Sequence, residues 1–184
     1  MRLLLIPAIL LLSACSNAPG SFILAPQVYW SQSNQLSQSR FAFNVVDSRA
    51  MPYTLRILKD GKATQVKTSN DLIGHVQRAV AQALTDHGAM LDDGSDNRLT
   101  IQVSQLQALV DQHTLDHSVT NQVALTIQIQ HANGTYSKTY SGDGSYTAPF
   151  TMDIAAVERE LRVLTEQVLT QLLQDDSWHP LLRG

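Results

Sequence analysis

Two stretches of the chain alternate so regularly that they leave little choice of conformation. They are Leu99-Thr100-Ile101-Gln102-Val103-Ser104-Gln105-Leu106 and Val123-Ala124-Leu125-Thr126-Ile127-Gln128-Ile129-Gln130. A period of two places the apolar side chains on one face of a pleated strand and the Thr, Gln and Ser on the other. A sheet with one buried and one wet face follows, and antiparallel pairing commonly yields that arrangement. Asn133-Gly134 then turns the second stretch into Tyr136-Ser137-Lys138-Thr139-Tyr140, as a tight hairpin does. Earlier in the chain, Phe41 to Asp47 alternates in the same way, and Tyr53 to Lys59 is joined to Ala63–Thr68 through Asp60-Gly61, a second hairpin signal.

Two segments carry the helical period instead. Leu72, Val76, Ala79, Val80, Ala83 and Leu84 share one stripe, with Asn70 placed to cap its start and Gly88 to stop it. From about Asp153 to Gln174 a second stripe runs through Ile154, Val157, Leu161, Leu164, Val168 and Leu172, capped by Thr151 or Asp153. The order strands, helix, strands, helix predicts an α+β domain of two layers. In it a mainly antiparallel sheet has both amphipathic helices packed on one face. The 184 residues suit one such domain, and there is no internal repeat.

The N-terminus has a different logic. Met1-Arg2 precedes the apolar run from Leu3 to Leu12, which is too short to span a bilayer as a helix and reads as a signal peptide. It ends in Leu12-Ser13-Ala14-Cys15, where the chain's one cysteine follows two small residues. That tetrapeptide resembles the bacterial lipobox. The resemblance implies recognition of Leu12, Ser13 and Ala14 by the lipoprotein signal peptidase, removal of residues 1–14, and fatty acylation (palmitate or similar chains) at Cys15. Several acyl chains together make anchoring effectively permanent, so the domain needs no other membrane grip. Ser16 stands where enteric-type bacteria place Asp to retain lipoproteins in the inner membrane, which implies the outer membrane with the domain facing the periplasm. Residues 15–40 are expected to form the lipidated N-terminus and a tether, because 16–21 and 31–39 are polar and rich in turn formers. Within that tether Phe22 to Trp30 is apolar and interrupted by Pro26, so it is expected to lie extended along the domain. Residues 41–184 then make the single periplasmic domain.

The lipobox-like end, the strand end Val45-Val46-Asp47-Ser48-Arg49, the helix end Asp86-His87-Gly88, the strand Leu99–Leu106 and the terminal Asp175-Asp176-Ser177-Trp178-His179 together resemble the YajG-type bacterial lipoproteins. The resemblance covers most of the chain after the signal. It implies an envelope lipoprotein and supplies no catalytic or binding residues.

The residues themselves argue against chemistry. One cysteine excludes a disulfide framework, and thirteen Lys and Arg spread along a chain of net charge −3 give nucleic acid no footprint. His113 and His117, with Asp111 and Asp116, have a chelating spacing only on a helix, and they lie between strands. Asp92, Asp93, Asp96 and Asn97 lack the cadence of a calcium loop and read as a turn. Gly142-Asp143-Gly144-Ser145-Tyr146 lacks the second glycine of a nucleophile elbow and reads as a loop or bulge. Asp47 and Arg49 read as an ion pair at a strand end. The expectation is therefore a protein that is not an enzyme and needs no cofactor: a lipid-anchored interaction or assembly module with an envelope protein as partner. Its docking surface would be the wet sheet face around Thr126, Gln128 and Gln130, or a free strand edge. The alternative is a binder of a small amphipathic or lipid-like ligand between sheet and helices, in room left by Ala79, Ala81 and Ala83.

Overall fold

The computed structural model describes residues 21–31 and 34–183. Seven strands, β1 (Arg40–Asp47), β2 (Leu55–Lys59), β3 (Lys62–Val66), β4 (Met90–Leu91), β5 (Arg98–Gln112), β6 (Asp116–His131) and β7 (Gly134–Pro149), form one sheet. Helix α1 (Leu72–Asp86) lies between β3 and β4, helix α2 (Ile154–Gln174) follows β7, and a short 3-10 turn (His179–Leu182) closes the chain.

The sheet is mixed rather than mainly antiparallel, which corrects the expected two-layer arrangement. Strand β5 is the reason. With 15 residues it is about as long as β1 and β2 together, so one of its edges takes both, end to end and both parallel to it. Strand β1 pairs from Arg98 to Val103, and β2 pairs from Ala108 to Gln112. Between them β5 bulges at Val103/Gln105, and the chain crosses from β1 to β2 beside the bulge. Arg49 pins that crossing: its guanidinium is nearly buried, grips both carboxylate oxygens of Asp47 at 2.8 Å, and reaches Thr54 Oγ1 at 2.9 Å. The pair expected at a strand end is thus a clamp, and the Arg49 hydrogen bonds hold Asp47 below its ordinary pKa. Parallel pairing needs a crossover. The β2–β3 hairpin and α1 supply it, a connection that hydrophobic period alone does not reveal.

The other edge of β5 starts a conventional meander. Strands β5, β6 and β7 pair antiparallel over nearly their whole length, far beyond the eight-residue runs that alternate most cleanly in the sequence. Strands this long coil as they twist, and the sheet curls into a half-barrel. The face assignment holds: Leu99, Ile101, Val103, Val123, Leu125, Ile127 and Ile129 are all buried. The hairpin turn at Asp60-Gly61 also forms, both residues having positive φ as such a turn needs.

Helix α1 packs on β1 and β4, and α2 on β5, β6 and β7, so the helices cover different parts of the sheet. The segment 22–30 lies between them. Asn70, expected as a helix cap, instead clasps this strap: it accepts from Leu24 N at 3.1 Å and donates to Leu24 O at 2.7 Å. Asp71 caps α1 in its place, accepting from Gly74 N. Further along, His75 Nε2 sits 3.1 Å from Pro26 O, Gln27 N donates to Glu166, and the Trp30 ring stacks on His87 with centroids 3.5 Å apart. Phe22 and Leu24 are fully buried, as is Leu36 in the turn before β1. The strap is extended, as expected, but it belongs to the core. It also explains why α2 is buried more widely than the single stripe suggests. Thr165, Glu166, Leu169 and Leu173 are buried alongside the sheet-facing Val157, Leu161, Val168 and Leu172, while Leu164 is only half-buried.

A fully buried large side chain replaced by Ala costs about 2–5 kcal/mol. Phe22→Ala and Leu24→Ala are therefore expected to destabilise the fold as much as Leu125→Ala does, with Leu164→Ala well below them and Gln128→Ala near zero. Urea denaturation ranks the five; a Phe22→Ala effect as small as that of Gln128→Ala would mean that the strap is not part of the cooperative unit.

Candidate functional site

The side of the sheet away from the helices carries few charges. Its side chains bond to one another: Gln102 Nε2 donates to Gln128 Oε1 at 2.8 Å, Ser104 and Thr126 hydroxyls lie 3.2 Å apart, and Thr126 meets Thr139 at 2.9 Å. Gln105 and Gln107 both donate to Gln122 Oε1 at 2.8 Å. Of the three residues expected to form a docking face, Thr126 and Gln128 are half-buried members of this ladder, and Gln130 is exposed at its end. Side chains already satisfied by their neighbours offer a partner less than free ones do.

The adjacent edge is different. Strand β7 pairs with β6 in an unbroken register from Asp116↔Pro149 to His131↔Gly134, and no strand among the described residues pairs with its other side. Natural sheets blunt such edges with bulges, prolines or charges. Strand β7 has no bulge, has proline only at its last residue, and carries two charged residues, Lys138 and Asp143. Lys138 is turned away, onto the Asp175 carboxylate at the end of α2. The remaining outward residues are Thr135, Ser137, Thr139, Ser141, Ser145 and Thr147, all exposed. The Gly142–Tyr146 stretch, which reads as a loop or bulge, is regular strand in the middle of this edge. Its first glycine has a packing cause: a Cβ at Gly142 would come within 2.9 Å of Leu164 and 3.0 Å of Val168, so the absence of a side chain lets α2 approach.

Asp175 fastens α2 to β7 from below the edge. It accepts from Lys138 Nζ, from Tyr140 Oη at 2.6 Å and from Ser177 N at 2.9 Å, while Tyr136 Oη meets Ser177 Oγ at 2.9 Å. Burial pushes the Asp175 carboxyl up, but these donors outweigh it and hold the group well below the usual carboxylate range. Burial, followed by the same carboxylate, raises the Tyr140 hydroxyl far above its ordinary value.

The other candidates do not converge. His113 lies 3.8 Å from Asp111 on the surface, whereas His117 is buried and points its Nδ1 at Phe150 O, so the four expected chelators do not share a site. Asp92 pairs with Arg40 at 2.7 Å and accepts from Gly94 N in a turn. Among the described residues no three His, Cys, Asp or Glu gather as metal ligands. Ala81 packs on the core, and Ala79 and Ala83 border an open cleft of about 350 Å³ between α1 and the strap, bounded by Trp30 and His87. Cys15 and Leu12–Ala14 lie outside the described residues.

The described residues thus combine a half-barrel sheet, two helices and an intercalated strap. A family model described as "uncharacterized lipoprotein" matches residues 26–183, and the chain belongs to that family. Its curated relatives include the uncharacterized lipoprotein YajG of Escherichia coli strain K12, 24% identical over 182 residues that span 96% of this chain and 93% of the relative. A crystal structure of a protein from Xanthomonas campestris shares the fold, with a TM-score of 0.55 at 20% identity, covering 88% of this chain and 95% of that one.

The Asp175 clamp makes a pH prediction. Its folded pKa lies below the ordinary 3.8, so its contribution is complete above that pH and fades as pH falls through the lowered value. Asp175→Asn is expected to reduce the melting temperature by about 2–6 °C at pH 7, given roughly 1–2 kcal/mol for charge-assisted bonds. The gap should narrow progressively as pH falls below the ordinary 3.8. A gap independent of pH in thermal melts would show that the clamp's charge contributes nothing.

Proposed function

We propose that this envelope lipoprotein is held at the outer membrane by acyl chains on Cys15, faces the periplasm, and works without catalysis as a docking module. An extended segment of an envelope protein would add to its sheet along β7. The lipoprotein family is a finding; the attachment residue is read from the Leu12–Cys15 sequence, and the outer membrane from Ser16. The observation that carries the docking reading is the sixteen-residue, unbulged and nearly uncharged free edge of β7. Such an edge presents a row of unpaired backbone donors and acceptors to a partner strand, and strand addition uses just those groups. Thr126, Gln128 and Gln130, on β6, would then be separated from the docked strand by β7 and lie outside the site. A ligand between sheet and helices has less support, because that space is filled by Leu, Ile, Val and the strap's own Phe22 and Leu24.

Two experiments test the two halves. Cys15→Ser is expected to abolish incorporation of labelled palmitate and to release the protein from outer-membrane fractions; unchanged acylation would defeat the anchor. A photo-crosslinking residue placed at Ser137, Ser141 or Ser145 in intact cells is expected to give one discrete adduct. The same residue at exposed Arg78 on α1 should give none. Equal adducts from both faces, or none from β7, would remove the edge as the docking surface.

A further inference from the structure

The two most exposed large apolar side chains among the described residues, Leu115 at 77% and Phe150 at 75%, come together at one end of the sheet. Leu115 is in the β5–β6 turn and Phe150 just follows β7; Phe150 N donates to Leu115 O at 2.7 Å. Phe150 also has φ +65°, a left-handed conformation that a bulky side chain rarely adopts. Buried polar groups enforce it. Phe150 O lies 3.2 Å from Gln112 Nε2 and 3.1 Å from His117 Nδ1, and Gln112 reaches across to His113 O, Asp116 O and Met152 N. Gln112 and His117 are 7% and 4% exposed. A strained backbone held by a buried network, with its apolar ring directed into solvent, points to function more than to packing.

The position of this tip identifies what covers it. By register, Gln112, Asp116 and Pro149 mark the same end of the sheet, and α2 begins there at Ile154. The strap runs parallel to α2 from that end: Ile23 N bonds Glu158, Gln27 N bonds Glu166, and Thr170 bonds Tyr29 O. The described chain therefore starts, at Ser21, beside the first turns of α2. Cys15 is six residues earlier, a reach of at most about 20 Å even when fully stretched. A sixteen-residue strand is about 50 Å long, so an anchor at Cys15 can bring this end to a bilayer but not the far end, where Met90 is exposed. We infer that the Leu115–Phe150 tip rests on the lipid surface and seats both side chains in its interface. The inference rests on acylation at Cys15. The charges at this end, Lys59 and Lys62 beside Asp60, Asp111, Asp116 and Asp153, are of mixed sign, so the seat is apolar rather than electrostatic.

The test uses the full lipidated protein in vesicles of phosphatidylethanolamine and phosphatidylglycerol, as the only protein present. An acylated Cys15 has no free thiol, so Leu115→Cys, Phe150→Cys and, as control, Met90→Cys each accept a single environment-sensitive fluorophore. The expected result is a blue shift and several-fold quenching by spin-labelled lipid at 115 and 150, unchanged in 0.5 M salt, with neither effect at 90. Leu115→Cys suffices should Phe150→Cys disturb the strained turn. Protein that floats with the vesicles while labels at 115 and 150 behave like the label at 90 overturns the inference and leaves the anchor intact. A blue shift without lipid quenching means that a second copy covers the tip, and also overturns it. Protein that fails to float overturns the anchor and this inference together.

Discussion

Strand β5 is the member on which every other pairing depends. One of its edges holds β1 and β2 in line, and through them β4 and β3; the other holds β6, and through it β7. Its alternation must therefore be right over fifteen residues, since slipping by one would turn Leu99, Ile101 and Val103 into water and bring Thr100 and Gln102 inward. The bulge at Val103/Gln105 resets that alternation once, at the place where β1 ends and β2 has yet to begin. Ser48 N and Oγ both bond Val103 O there, so the irregularity is tied down rather than left open.

Much of this was legible from side-chain pattern alone, and what was not has specific causes. Alternation identifies which residues of β5 and β6 face inward, but it says nothing of partner direction. The parallel pairing of β1 with β5 depends on a crossover through a hairpin and a helix, which no local signal announces. Strand β7 is legible only from Tyr136 to Tyr140, because beyond it the inner face passes through Gly142 and Gly144 before Tyr146 and loses its apolar period. Two of those positions are shaped by α2 itself, Gly142 by the approach of Leu164 and Lys138 by Asp175. The second buried stripe of α2, through Leu169 and Leu173, is visible in the residues once the strap is known to need a surface. The polar face around Thr126 and Gln128 could be read; the hydrogen bonds that occupy it, and the positive φ of Phe150, could not.

The strap belongs to the core although it precedes the first strand. The polar, turn-rich composition of 16–21 and 31–39 predicts order only from the first strand onward. Here Phe22 and Leu24 are as buried as any residue of the sheet, because α1 and α2 stand on different strands and leave a trough that only additional chain can fill. Asn70 completes the seam by treating the strap's backbone as a neighbouring strand would.

That geometry has a mechanical meaning. Tension drawn through Ser21 along the strap's own direction acts lengthwise on bonds at Ile23, Leu24, Gln27 and Tyr29, which share the load instead of parting in succession. A lead-in attached crosswise would unzip one contact at a time under the same pull. Any pull applied at Ser21 along that line thus loads the strap in shear, the direction in which a seam of modest bonds is hardest to open.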